Sequence, residues 1–170
     1  SRGLGDVYKR QAMENPTYKQ AYRVFQSLGY EVCPVEMDAN GMEPELLAKS
    51  GANAAYVMPS HQFPTGIVMP VGRRQELLKW AVETPDRYII EDDYDSEFRY
   101  KGRPIPALQG NDTEGKVIYL GTFSRAIAPS IRISYMVLPE TLLPAYEENG
   151  RCFSATVSKT CLLYTSPSPR

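Results

Sequence analysis

Three short strand-like runs, at residues 54–58, 87–91 and 117–121, each end in a polar cluster, and this limits what the chain can fold into. Short apolar runs separated by long, partly helical stretches cannot pair through tight hairpins. They pair in parallel through crossovers, with helices on the sheet faces. The intervening stretches read accordingly. Over 17–28, Tyr18, Ala21, Tyr22, Phe25 and Leu28 recur at helical spacing, and Gly29 supplies a stop. Residues 30–35 form a β-prone run, and 44–49 a short helix ended by Gly51 and Asn53. Pro59, Pro64 and Gly66 force a loop, with Gly66 explained by turn geometry. Residues 71–83 carry an apolar stripe of Leu77, Leu78, Ala81 and Val82, with Arg73 and Arg74 expected on the solvated side of that helix. Residues 101–115, with Pro104, Pro106 and two glycines, are irregular; 133–138 is a further strand and 140–148 a helix. The pattern predicts an α/β fold of three layers around a mostly parallel sheet.

In open sheets of this kind ligands sit beyond the carboxyl ends of the strands. Those ends carry Ser60-His61-Gln62, Glu91-Asp92-Asp93-Tyr94-Asp95 and Thr122-Phe123-Ser124-Arg125. One such cluster would be a solvated strand end; three on one edge outline a site. Several other chemistries are excluded. The 19 basic and 20 acidic side chains give a net charge of -1 with no basic run, so no nucleic-acid surface is expected in this stretch. The longest apolar runs fall far short of the roughly 20 residues a membrane helix needs. Cys33, Cys152 and Cys161 lack the paired spacing of a zinc site and are expected as reduced, cytoplasmic thiols. His61 is the one histidine, so neither a histidine-based triad nor a multi-histidine metal site can be built. It reads either as a loop residue with a hydrogen bond or two, or as a ligand contact.

Four segments, in order and spacing, resemble one known family: Glu14-Asn15-Pro16-Thr17-Tyr18, Pro59-Ser60-His61-Gln62-Phe63-Pro64-Thr65-Gly66, Ile89-Ile90-Glu91-Asp92-Asp93-Tyr94-Asp95-Ser96-Glu97-Phe98, and Tyr119-Leu120-Gly121-Thr122-Phe123-Ser124-Arg125 followed by Arg132. Residues 12–160 resemble part of the large domain of fold-type I, pyridoxal-phosphate-dependent class I/II aminotransferases. They are most similar to the aminotransferase-like domain of MocR-type regulators in the GntR group. Residues 1–11 and 161–170 continue none of the periodicity beside them and are expected to be non-native, adapter-like segments.

The resemblance implies pyridoxal 5'-phosphate as cofactor, with a role for each matching residue. Asp92 would hold the ring nitrogen protonated, which keeps the ring an electron sink. Tyr94 would hydrogen-bond the phenolic oxygen and Tyr18 would stack on the ring. Thr122, Ser124 and Arg132 would hold the phosphate, Arg through bidentate charge-assisted bonds. Asp93, Asp95 and Glu97 are expected to face water. Two departures stand out. Phe63 occupies the place where aminotransferases carry an Asn, as in the MocR-type pattern. Arg125 stands where the family places its Schiff-base lysine, and a guanidinium does not lose the proton that such attachment requires. Lys101, Lys116 and Lys159 lie away from that motif. Arg125 is thus either a divergence, with the cofactor bound non-covalently, or a one-nucleotide departure in the sequence. The implied function is an effector domain for the cofactor or for an amine or amino-acid ligand. It would be homodimeric in the full protein, reaching DNA only through a domain this chain lacks. The alternatives are an aminotransferase proper, or a partial chain with no activity of its own.

Overall fold

Parallel pairing is what the chain adopts. The computed structural model describes residues 10–95, 106–123 and 133–150. Seven strands form one sheet: β1 (Arg10–Asn15), β2 (Glu31–Asp38), β3 (Gly41–Met42), β4 (Ala54–Val57), β5 (Tyr88–Asp93), β6 (Val117–Thr122) and β7 (Ser134–Val137). Their order is β3-β2-β1-β4-β5-β6-β7. The five inner strands run parallel, while β3 and β7 close the edges antiparallel. From β1 the chain steps outward to β2 and returns on the other side of β1 as β4. The order therefore reverses between β1 and β4, where open sheets leave a crevice.

Side chains alternate across the strands, and the ladder register sorts them into two cores. Met13, Tyr56 and Ile90 lie abreast on one face, where Tyr22 and Phe25 of α1 (Lys19–Ser27) pack on them. Ala12, Ala55, Val57, Ile89 and Val117 fill the other face. They meet Leu47 of α2 (Pro44–Lys49) and Leu77, Trp80 and Ala81 of α3 (Val71–Val82). Burying each such large apolar side chain is worth about 1.5–3 kcal/mol. The result is helix, sheet, helix, with α4 (Leu143–Gly150) following β7. Gly29 ends α1 at φ +81, and Gly66 turns the loop after β4 at φ +77, as the sequence predicts.

Three expectations are corrected. β5 does not stop at residue 91 but runs two residues further, because Glu91 is buried against the backbone amides of Leu108 and Gln109, both at 2.8 Å. Arg10 and Gln11, set aside with residues 1–11, begin β1: Gln11 is fully buried and Arg10 pairs with Glu31 at 2.8 Å. Arg73 and Arg74 do not face solvent. Arg73 holds Asp38 at 2.7 Å and caps the carbonyls of Gly41 and Met42, while Arg74 is 1% exposed.

Candidate functional site

Four segments leave the carboxyl edge of the sheet side by side, and each is tied to another by a buried side chain. The segment after β1 carries Tyr18 into the start of α1. The loop after β4 is pinched at its neck, where the Met69 amide donates to the Pro59 carbonyl at 2.9 Å. Arg74 seals that neck from below. Its guanidinium donates to the carbonyls of Met69 (3.0 Å), Pro59 (2.8 Å) and Pro106 (2.8 Å), which binds the loop to the stretch following β5. A guanidinium suits three divergent carbonyls because its donors are fixed in a plane.

Inside that loop Gln62 is 2% exposed. Its amide nitrogen donates to the Pro16 carbonyl at 2.8 Å, across the crevice between β1 and β4. Its amide oxygen accepts from the Thr65 amide at 3.1 Å and the Thr65 hydroxyl at 2.5 Å. The neighbouring Phe63 is thereby set edge-on to Tyr18, with ring centroids 5.9 Å apart at 87°. Both rings are about half exposed, so they rim the site rather than fill the core. Glu14 lies beneath this crossing, 1% exposed, with Oε2 accepting from the Met58 amide at 3.3 Å and Oε1 without a hydrogen-bond partner among the described residues. Burial pushes its carboxyl up to about 7.

At the end of β5 the alternation divides the acidic run. Asp93 is buried on the α3 face and accepts from the Tyr119 hydroxyl at 2.8 Å, so it does not face water as expected. Asp92 turns to the α1 face, where the Tyr56 hydroxyl donates to its Oδ2. Oδ1 of Asp92 has no hydrogen-bond partner among the described residues. Burial, and then the charge of Asp93, raise the Asp92 carboxyl above its usual range against the pull of the Tyr56 bond. Tyr94 follows on the same face and stacks on His61 at 6.0 Å and 23°. His61 Nδ1 lies 2.7 Å from Asp95 Oδ2, so Asp95 too has a protein partner rather than only water, and His61 is a loop residue held on both sides. At the end of β6, Asp92 lies opposite Leu120, which puts Thr122 two positions on, on the Asp92 face. The Thr122 hydroxyl donates to the Ile133 carbonyl at 3.2 Å.

Of the residues singled out in the sequence, Tyr18, Asp92, Tyr94 and Thr122 all stand on this edge. Ser124, Arg125, Arg132, Glu97, Lys101 and Lys159 lie outside the described residues. Lys116 precedes β6 at the opposite edge, donating to the Pro85 carbonyl at 2.7 Å. Sequence reasoning missed Tyr56, and it quoted Gln62 and Glu14 within its segments without giving either a role of its own. Tyr56 sits in an apolar strand, where the one signal is a hydroxyl at a position two residues short of the strand-like run's end. Among the described residues no cluster of three His, Cys, Asp or Glu side chains could hold a metal, and no helix is long and apolar enough to cross a membrane.

No family model matches the chain. The uncharacterized HTH-type transcriptional regulator YhdI of Bacillus subtilis is 48% identical over 145 residues, covering 85% of this chain and 31% of the relative. The probable rhizopine catabolism regulatory protein MocR of Rhizobium meliloti is 39% identical over 135 residues, 79% of this chain and 27% of that one. Among solved structures, the kynurenine aminotransferase of Pyrococcus horikoshii superposes with a TM-score of 0.78 at 32% identity, over 86% of this chain and 38% of that one. The chain thus spans about a third of the length of the regulators it matches. The sheet described above is that of the fold-type I aminotransferases.

Proposed function

Because this chain is homologous to the aminotransferase-like domain of the MocR-type, GntR-group regulators, we propose that it is the pyridoxal-phosphate-binding effector domain of such a regulator. In this reading residues 12–160 belong to that domain, with Arg10 and Gln11 beginning its first strand, and residues 1–9 and 161–170 stand apart from it. The observation that carries the reading is Asp92, a shielded carboxylate with one oxygen held by Tyr56 and the other without a hydrogen-bond partner among the described residues, on the sheet face shared with Tyr94 and Thr122. That donor set fits a pyridinium ring: an anion for the ring N–H, phenols at 94 and 18, and a strand-end hydroxyl for a phosphate. When bound, the cofactor supplies an electron-withdrawing ring. Asp92 would accept the ring N–H, Tyr94 would hydrogen-bond the phenolic oxygen, and Tyr18 would stack on the ring. Thr122, Ser124 and Arg132 would hold the phosphate. Arg125 stays a cation and gives no covalent attachment.

The ligand sensed is the cofactor or an amine or amino acid presented to it. The full protein acts as a cytoplasmic homodimer that meets DNA through a helix-turn-helix in the remaining two thirds of its length. Titration of the purified protein with pyridoxal phosphate, followed by absorbance and then borohydride, tests this. Saturable binding with no reducible lysine adduct is expected; no binding removes the reading, and a lysine adduct removes its non-covalent part. The likeness to a kynurenine aminotransferase supports a second reading, amino-group transfer between an amino acid and a keto acid. Its test is exchange against a panel of amino acids with the wild type and with Arg125→Lys. Absence of turnover in both removes it.

A further inference from the structure

Tyr56 is the side chain that the proposed roles leave unused, although it makes the most direct contact in the site. It lies in the middle of the β1-β4-β5 ladder, opposite Met13 on one side and Ile90 on the other, and is 3% exposed. Its ring is enclosed by Met13 and Met58 and meets Phe25 of α1 edge-on at 5.9 Å and 69°. The ring cannot swing, so the hydroxyl is delivered to one place: Oδ2 of Asp92, two residues beyond Ile90 on β5. We propose that Tyr56 is a positioning residue for the cofactor, fixing the plane of the Asp92 carboxylate so that Oδ1 meets the ring nitrogen, and holding that carboxylate ionised so that the proton rests on the ring. This rests on the reading of Asp92 as the ring-nitrogen partner.

The chemistry follows from the groups around Asp92. Shielding from water and the adjacent Asp93 both favour a neutral carboxyl. Glu14 and Tyr18 lie close behind Tyr56 and bring no positive charge. Among the described residues, the one opposing contribution is the Tyr56 hydroxyl, because a hydrogen bond donated to a carboxylate stabilises its ionised form. With the hydroxyl removed, an Asp92 paired with a pyridine would take the shared proton itself. The ring would then lie neutral against a neutral acid.

Tyr56→Phe in the intact protein isolates this, since it keeps the ring and its packing and deletes only the donor. The probe is pyridoxal phosphate carrying a nitrogen-15 label in the ring, whose chemical shift separates protonated from unprotonated nitrogen. The wild type is expected to give the protonated shift, and Tyr56→Phe a shift moved toward the unprotonated value with affinity lowered about tenfold. In an Asp92→Asn background, Tyr56→Phe is expected to change affinity less than twofold. Thermal melting of the ligand-free proteins checks that the fold is kept. An unchanged ring-nitrogen shift in Tyr56→Phe overturns the proposal, as does an equal loss of affinity in the wild-type and Asp92→Asn backgrounds. Failure of the wild type to bind the labelled cofactor overturns the cofactor reading instead, so the two failures are distinct.

Discussion

Replacing Arg74 with leucine removes a guanidinium that is 1% exposed and serves three carbonyls. Of these, Pro59 keeps the Met69 amide as a donor, whereas the Met69 and Pro106 carbonyls lose theirs. The buried Met69 carbonyl left without a donor costs about 1–3 kcal/mol, and the part-buried Pro106 carbonyl, on an exposed residue, costs less. Glu91, fully buried, also loses the cation whose charge offsets part of its desolvation. Relief of the buried guanidinium returns some of this, which leaves a net loss of about 3–5 kcal/mol, as found when one partner of a buried pair is removed. For a chain of this length that is a melting point lower by roughly 6–20 °C. Arg74→Lys keeps the charge and a point donor but not the planar fork, and is expected to lose about half as much. Urea unfolding followed by circular dichroism measures both. The pH dependence gives a second check: burial already raises the Glu91 carboxyl, and losing Arg74 raises it further. Stability of Arg74→Leu should therefore fall more steeply than that of the wild type as pH rises through the range above the usual glutamate value. A loss below about 1 kcal/mol for leucine, or equal losses for leucine and lysine, would refute the view that carbonyl coordination is why this arginine is buried.

Glu14, pushed from 4.5 to about 7, makes the folded state bind a proton more tightly than the unfolded chain. Its contribution is present below 4.5 and is lost as pH rises to about 7, a span worth about 3 kcal/mol. Glu14→Gln should flatten that decline in urea unfolding between those values, and equal slopes in the two proteins would contradict the assignment. Gln62→Leu removes the tie to Pro16 and should lower pyridoxal phosphate affinity several-fold through Tyr18; in a Tyr18→Ala background the loss should vanish, and additive losses would show a general loosening instead. Arg73→Ala gives up the Asp38 pair and two backbone caps, and should cost about 1–3 kcal/mol in the same unfolding assay. A change below about 0.5 kcal/mol would mean that water replaces it fully.

The elements legible in the sequence are those fixed by local rules. Residues 44–49 are delimited by a proline at the first turn and a glycine beyond the last, and α2 has those bounds. α3 is marked by its leucine stripe and α1 by its aromatic spacing and Gly29. What cannot be read locally depends on partners distant in the chain. The acidic end of β5 looks like a loop until Tyr119 and the amides of Leu108 and Gln109 are placed beside it. Arg74 looks like a solvated helix position because nothing near it reveals that three loop carbonyls converge there. The same holds for the site. The motifs locate Asp92 and Tyr18, whose residue types carry the chemistry, but Tyr56 and Gln62 act by reach, and reach is set by strand order.

Four ties that bind the site together join segments far apart: Glu14 to Met58, Pro16 to Gln62, Tyr56 to Asp92, Arg74 to Pro106. None belongs to a hairpin or a single helix, so no early, local folding unit can contain even a rudimentary version of the site. Loop closure must be complete before any of these ties can form, and parallel sheets form slowly for the same reason. A ligand held at this edge therefore has no partly folded form to bind. It stabilises the whole sheet or nothing, by about 2.7 kcal/mol at a hundred times its dissociation constant. If the domain senses a ligand as proposed, occupancy doubles as quality control: a newly made chain would acquire that ligand only after the last crossover has closed.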